Sequence, residues 1–232
     1  QGAGAVRVWG GLKNGALAEI TADVQLSQVK TRLGRDLPEL ELDALKGRVG
    51  WKLINDGFEV SISRLDITTH AVTLQPMDLL LTYRHASVRR PPSGELRANA
   101  LDLGPLMTIA DHLPFEPELR KELDRYAPRG SVYDTAVKWS GSWPRPEQYS
   151  VKGRFVDLGV SAVGRMPGFA GVSGNIDGNE RGGTLSLSTQ KAVVDLPRVF
   201  RDRLAFDALT AQVGWQRNGE QYDFKLDNIS FS

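Results

Sequence analysis

The chain has 232 residues, 41% apolar and 25% charged, and its 29 basic and 28 acidic side chains leave a formal net charge of +1. That apolar content can build one large domain or two small ones and excludes wholesale disorder, and the cancelled charge excludes the concentrated basic surface of a nucleic-acid binder. The absence of cysteine excludes disulfides, thiolate metal sites and cysteine nucleophiles, and no run approaches the roughly 18 apolar residues of a membrane-spanning helix.

The opening QGAGAVRVWGG has neither the basic start nor the apolar block of a signal peptide. The closing NISFS stops within a strand-like pattern, so the expectation is an internal fragment of a longer protein. A first strand is predicted near Val6–Gly10. Asn14-Gly15 then offers the positive-φ residues of a tight hairpin turn. After it Ala16, Ala18, Ile20, Ala22, Val24 and Leu26 alternate with Glu19, Thr21, Asp23 and Gln25, the pattern of a half-buried strand. A second hairpin places Val49, Trp51 and Leu53 before an Asn55-Asp56-Gly57 turn and Phe58, Val60 and Ile62 after it. Further strands are expected near Ala71–Gln75, Asp78–Arg84 and Glu95–Ala100, with a loop at Pro91-Pro92-Ser93-Gly94.

The period changes after Leu103. Leu106, Ile109, Ala110 and Leu113 have helical spacing, and Pro117 suits the first turn of a second helix running to Tyr126. Glu116/Arg120 and Arg120/Asp124 are i,i+4 opposite-charge pairs on that helix. Alternation resumes at Tyr133, Val137 and Trp139, turns at Pro144-Arg145-Pro146-Glu147, and returns through Tyr149, Val151 and Phe155. Strands are then expected near Gly171–Asp177, Thr184–Ser188 and Lys191–Leu196, and a last hairpin at Asn218-Gly219.

An internal repeat joins the two halves. Leu40–Trp51 reads LELDALKGRVGW and Leu204–Trp215 reads LAFDALTAQVGW, with Asp43 and Asp207 lying 164 residues apart. At the same offset Phe58 meets Tyr222, Val60 meets Phe224, Ile62 meets Leu226, Leu65 meets Ile229 and Ile67 meets Phe231. The apolar positions match while the polar ones drift, which is one hairpin used twice in an architecture that grows along an axis.

No constellation points to catalysis or to a metal. His70, His85 and His112 are scattered, no GxSxG elbow is present, and Gly2-Ala3-Gly4 precedes a strand rather than a helix. Asp177-Gly178-Asn179 opens like a calcium loop, but Ser188 stands where an acidic twelfth ligand belongs, so a Gly-rich turn is the simpler reading. The expectation is no enzyme and no cofactor. A dozen strands sharing one short helical segment must either fold into a sandwich or leave an apolar face open, and an open apolar face marks a binding site.

The run Gly153–Phe200 carries Pro167-Gly168-Phe169, then Gly171 and Gly174, Gly182-Gly183 with Leu185 and Leu187, and Pro197 with Phe200. With Leu101-Asp102-Leu103, Asp111-His112-Leu113-Pro114 and Ala127-Pro128-Arg129-Gly130, the chain resembles the YhdP branch of the AsmA-like family over nearly its whole length. The resemblance implies a mostly β protein, an extended, twisted antiparallel sheet of repeating hairpins curved into a U-shaped groove, with a short helical insert near 104–126. The implied organisation is a first β-groove segment over 1–103, the insert over 104–130 and a second β-groove segment over 131–232.

The implied function is that of a periplasmic segment of a bridge-like lipid transfer protein. Its partners would be phospholipid acyl chains within the groove and membrane proteins at either end of the full-length protein, with no nucleic acid. Its inner-membrane anchor would lie in a region absent here. The expected lining is Ile20, Val24, Leu26, Val49, Trp51, Phe58, Val60, Ile62, Val213, Trp215, Tyr222, Phe224 and Leu226. The alternatives are a closed structural or protein-binding β-sandwich of the cell envelope, and a carbohydrate-binding or carbohydrate-processing sandwich, for which no carboxylate pair stands out.

Overall fold

The computed structural model describes residues 2–113, 115, 117–142, 145–164, 166–197 and 200–232. The described residues form twelve strands and two short helices. The strands are β1 (Ala3–Lys13), β2 (Ala16–Thr31), β3 (Leu40–Ile54), β4 (Gly57–Thr68), β5 (Thr73–Arg84) and β6 (Ser93–Asp102), followed by helices α1 (Leu103–Ala110) and α2 (Pro117–Tyr126). Strands β7 (Arg129–Ser140), β8 (Gln148–Val160), β9 (Gly168–Asn179), β10 (Gly182–Asp195), β11 (Leu204–Asn218) and β12 (Gln221–Phe231) complete the fold. Strand order in the sheet follows chain order, β1 through β12. The protein is therefore mostly β and antiparallel, as expected from the alternation.

Local chemistry explains the hairpins. Asn14 and Gly15 both take positive φ, 53° and 78°, the pair of left-handed residues that matches the twist of the flanking strands. Asn55-Asp56 closes the next hairpin, while Gly57 belongs to β4 rather than to the turn. A side chain at Gly57 would collide with the Tyr83 carbonyl of β5. Two pairs of short strands merge: the segments expected at Ala71–Gln75 and Asp78–Arg84 are one strand, β5, and those at Thr184–Ser188 and Lys191–Leu196 are one strand, β10. In β10 the alternation breaks at Lys191, which adopts φ 56°, so the sequence reads as two pieces although the ladder to β11 runs on.

The chain divides into two units. The first comprises Gln1–Ala100, Asp111–Pro114 and Ala136–Tyr149, the second Leu101–Ala110, Phe115–Thr135 and Ser150–Ser232. The 164-residue repeat is a repeat of pairing as well as of sequence. In the first unit Val49 pairs with Ile62 and Trp51 with Val60, and the register slips between Lys46 and Arg48. In the second, Val213 pairs with Leu226 and Trp215 with Phe224, and the register slips between Thr210 and Gln212, the equivalent place. The bulged residues Arg64 (φ 48°) and Asn228 (φ 53°) are also 164 apart.

The shared aspartates mark a second irregularity. Gln28 of β2, with φ 51°, faces Asp43 of β3, and its amide donates to the Asp43 carboxylate at 3.4 Å. The ladder resumes beyond them with Val29 opposite Leu42, so neither strand loses register. Apolar parity changes there: Leu45, Val49 and Trp51 give way to buried Leu40 and Leu42. Lys191 and Asp207 stand in the same relation, between the pairs Gln190–Ala208 and Ala192–Phe206. Each strand of the pair thus holds one extra residue at the same height.

These irregularities separate two kinds of packing. Beyond them the apolar side chains are buried, with Leu65, Ile67, Leu74 and Met77 joining Leu40 and Leu42 in the first unit. In the second unit Ala192, Val172 and Phe155 form a buried cluster; Leu158, Phe169 and Phe206 pack against it, as do Ile176, Leu185 and Leu187 from nearer the turn end of the strands. The buried Thr189 hydroxyl donates to the Gly171 carbonyl, so this buried polar group is satisfied. In the helices Ile109 and Ala110 of α1 are buried, while α2 has no buried residue and carries its ion pair at Glu122–Arg125, 2.9 Å. Arg120 of α2 donates to the Phe115 carbonyl at 3.4 Å. Its expected partner Glu116 lies outside the described residues, as do Pro114, Trp143 and Pro144.

Candidate functional site

The candidate site is the apolar face on the side of the strands that carries the Asn14-Gly15 and Asn55-Asp56 turns. Directly opposed residues of an antiparallel ladder share a face, so the pairing register gives its composition. In the first unit one cross-strand row reads Gly10, Ile20, Trp51, Val60, Leu81 and Leu96. The next reads Val8, Ala22, Val49, Ile62, Leu79 and Ala98. A third places Leu53, Phe58, Tyr83 and Gly94 in line. Val24 lies opposite Val6 and Leu26 opposite Leu45.

The second unit repeats the arrangement. Val151, Gly178, Gly183, Trp215 and Phe224 form one row, and Gly153, Ile176, Leu185, Val213 and Leu226 the next. Tyr222 stands opposite Arg217 and stacks on Phe224 with ring centroids 6.4 Å apart. All eight lining residues expected in the first unit therefore share one face there, and all five expected in the second share one face of that unit. Several members escaped the sequence reading: Val6, Val8, Leu79, Leu81, Tyr83, Leu96, Ile176, Leu185 and Leu187. In β5 the unbroken run Leu79-Leu80-Leu81 hides the alternation that would have assigned its faces.

Exposure is what sets this face apart from a core. Val8 is 55% exposed, Leu53 53% and Phe224 67%, and Ile20, Val49, Tyr222 and Leu226 are exposed too. A buried sheet face would cover side chains of this size. Trp51 and Trp215 are half-buried, held down by their row neighbours. Trp9 has the opposite parity and belongs to the polar face, where the Arg7 and Arg48 guanidinium carbons each lie 5.9 Å from its ring centroid.

The polar face is laced with ion pairs. Arg7, Asp23, Arg48 and Ser63 make one cross-strand row, and Arg48 grips Asp23 through two nitrogens, Nη2 to Oδ2 at 2.9 Å. The hydrogen bond from Arg48, with the fields of Arg48, Arg7 and Arg64, holds the Asp23 carboxyl below its ordinary value. A carboxylate whose folded value is depressed contributes stability above its unfolded value, about 3.9. That contribution disappears as pH falls through the lower folded value. Asp23→Asn is therefore expected to flatten the acid limb of a stability-versus-pH curve and to leave the curve above pH 6 with the same shape. A pH series of urea midpoints reads this directly, and an unchanged acid limb would contradict it. In the second unit Lys152 pairs with Asp177 at 2.9 Å, so the carboxylate of the calcium-like segment is engaged by a lysine.

Among the described residues, neither face brings the histidines together with a catalytic partner set. His70 contacts Asp43 at 2.8 Å, and His85 packs edge-on against Tyr83 at 5.3 Å. Among the described residues no group of three or more His, Asp or Glu side chains is placed to hold a metal ion, and no helix is long and apolar enough to cross a membrane.

Comparison with known proteins gives one finding. A family model described as YhdP protein matches residues 1–232. No curated protein and no solved structure matches the chain.

Proposed function

Because the chain belongs to the YhdP family, we propose that its exposed apolar face carries phospholipid acyl chains, as one stretch of a lipid path between inner and outer membranes. The observation that carries the reading is the pairing of register with exposure: large apolar side chains aligned in cross-strand rows and left open to solvent in each unit. Burying hydrocarbon is worth roughly 0.8 kcal/mol per methylene, so such rows offer an acyl chain most of what it loses on leaving a bilayer. Rows also demand no particular polar contact, which suits a carrier that must release its cargo. The location this implies is the periplasm, with membrane proteins as partners at the ends of the complete protein. The proposed role is non-enzymatic: shelter without chemistry.

A closed sandwich would require a second layer over these same residues, and the exposure of Leu53 (53%) and Val49 on the interior strand β3 speaks against one in the first unit. The test is direct. Photo-crosslinking amino acids at Val60 and Phe224 are expected to capture phospholipid in cells, and lipid extracted from the purified protein is expected to contain it by mass spectrometry. Absence of phospholipid from both experiments would sink the reading.

A further inference from the structure

Glycine in the middle of a sheet is costly, because it loses more backbone entropy than other residues and packs nothing. The second unit nevertheless pairs Gly178 of β9 directly with Gly183 of β10. What occupies the space they leave is Trp215, which is paired with Gly183 from the other side. A β-carbon on Gly178 would lie 2.4 Å from Cζ2 of Trp215, and one on Gly183 would lie 2.6 Å from the same atom. The indole therefore reaches from β11 across β10 to β9, about two strand spacings of roughly 4.8 Å each, and rests on the backbone of both glycines. In the first unit an indole covers a single glycine: a β-carbon on Gly94 would collide with Cζ2 of Trp139.

An aromatic ring laid over glycine supports a sheet, but it also changes the relief of the face. The adjoining row carries a full side chain on each of β9–β12, Ile176, Leu185, Val213 and Leu226, of which Ile176 and Leu185 pack against the buried cluster around Phe155 and Val172. In the Trp215 row two side chains are missing and one flat ring covers their places. The low row runs across the strands, between the adjoining row and the turn end of the hairpins. We infer that the glycine-seated Trp215 forms the floor of a lane for a single acyl chain lying across β9–β11, and that Gly178 and Gly183 are positioning residues which keep that floor low. The inference rests on the lipid-path reading and adds to it the orientation of the chain and the residues that fix its depth.

Gly178 is the position to test. A β-carbon there meets Trp215 first, and its nearest backbone atom, the Gly182 carbonyl oxygen, is at 3.2 Å. At Gly183 the Gly178 α-carbon would be only 2.5 Å away, so substitution would disturb the backbone itself. Gly178→Ala is expected to tilt the indole upward. With 5-fluorotryptophan incorporated and the resonance assigned through Trp215→Phe, the Trp215 fluorine signal should shift and become more accessible to a paramagnetic agent. Phospholipid per protein should fall at least about fourfold, the factor that one methylene of lost burial, roughly 0.8 kcal/mol, corresponds to.

Trp215→Ala takes the floor away without any collision and should lower phospholipid per protein as well, which keeps the lane testable whether or not Gly178→Ala folds well. An unmoved fluorine signal overturns the seat. A moved signal with undiminished lipid, or a folded Trp215→Ala that keeps its lipid, overturns the lane and leaves the lipid path standing. A parent protein devoid of phospholipid overturns both.

Discussion

Phe224→Glu is expected to strip phospholipid from the second unit's apolar face, and Val60→Glu to do the same in the first. Each carboxylate would sit within a row of hydrocarbon, Phe224 beside Trp215 and Val60 between Trp51 and Leu81. An acyl chain covering that row would have to desolvate the charge, at a cost of several kcal/mol with no partner to offset it. Even about 3 kcal/mol corresponds to more than a hundredfold loss of occupancy. The fold should survive at Phe224, because a side chain already 67% exposed contributes little to packing. Lys225→Glu is the matched control: it adds the same carboxylate one residue away, on the opposite face of β12. Lipid content by mass spectrometry, read beside thermal melting, separates the outcomes. If Phe224→Glu keeps its lipid, or if Lys225→Glu loses as much, the apolar rows are not the path.

The largest effect on stability is expected at the other end of the strands. Leu74 is 1% exposed and pairs with Ile67, itself buried. Leu74→Ala removes the buried side chain and leaves a cavity whose walls relax only partly, costing about 3 kcal/mol. For a chain of this size that is a fall of roughly 6–12 °C in melting temperature. Leu12→Ala makes the same chemical change in β1 at a side chain 73% exposed, and its cost should stay within about 0.5 kcal/mol. Urea midpoints of the two variants decide the matter. Equal costs would mean that the packed end does not hold the fold, and the division between a stabilising end and an accessible end would fall.

That division was only partly legible in the sequence. Period-2 alternation placed Ile20, Val24, Trp51 and Val60 on a common face, because a strand that is wet on one side must alternate. It also marked the repeat, since Asp43 and Asp207 recur where the chain leaves regular pairing. What alternation could not reveal was exposure: a valine in a packed core and a valine in an open row have the same neighbours in sequence. It also failed wherever an extra residue shifts parity, which is why β10 read as two strands. Positive φ at Gln28, Arg64 and Lys191 has no compositional signature, because none is the glycine or asparagine that announces such a conformation. The glycines under Trp215 were visible as letters, but a glycine that makes room for a ring two strands away looks the same as one that makes a turn.

The facing extra residues in β2 and β3 have a bearing on how the chain can change in length. Gln28 and Asp43 oppose one another, and the ladder beyond them is unshifted because each strand has gained one residue there. Losing either alone would slide one strand past the other and turn its packed end inside out, exchanging Leu42 for Glu41 or Val29 for Lys30. Losing both would cancel. Lys191 and Asp207 are coupled in the same way. Single-residue insertions and deletions at these two heights are thus tolerated only in facing couples, unlike the lone extra residue at Arg64, which the β3–β4 ladder takes up as a register slip.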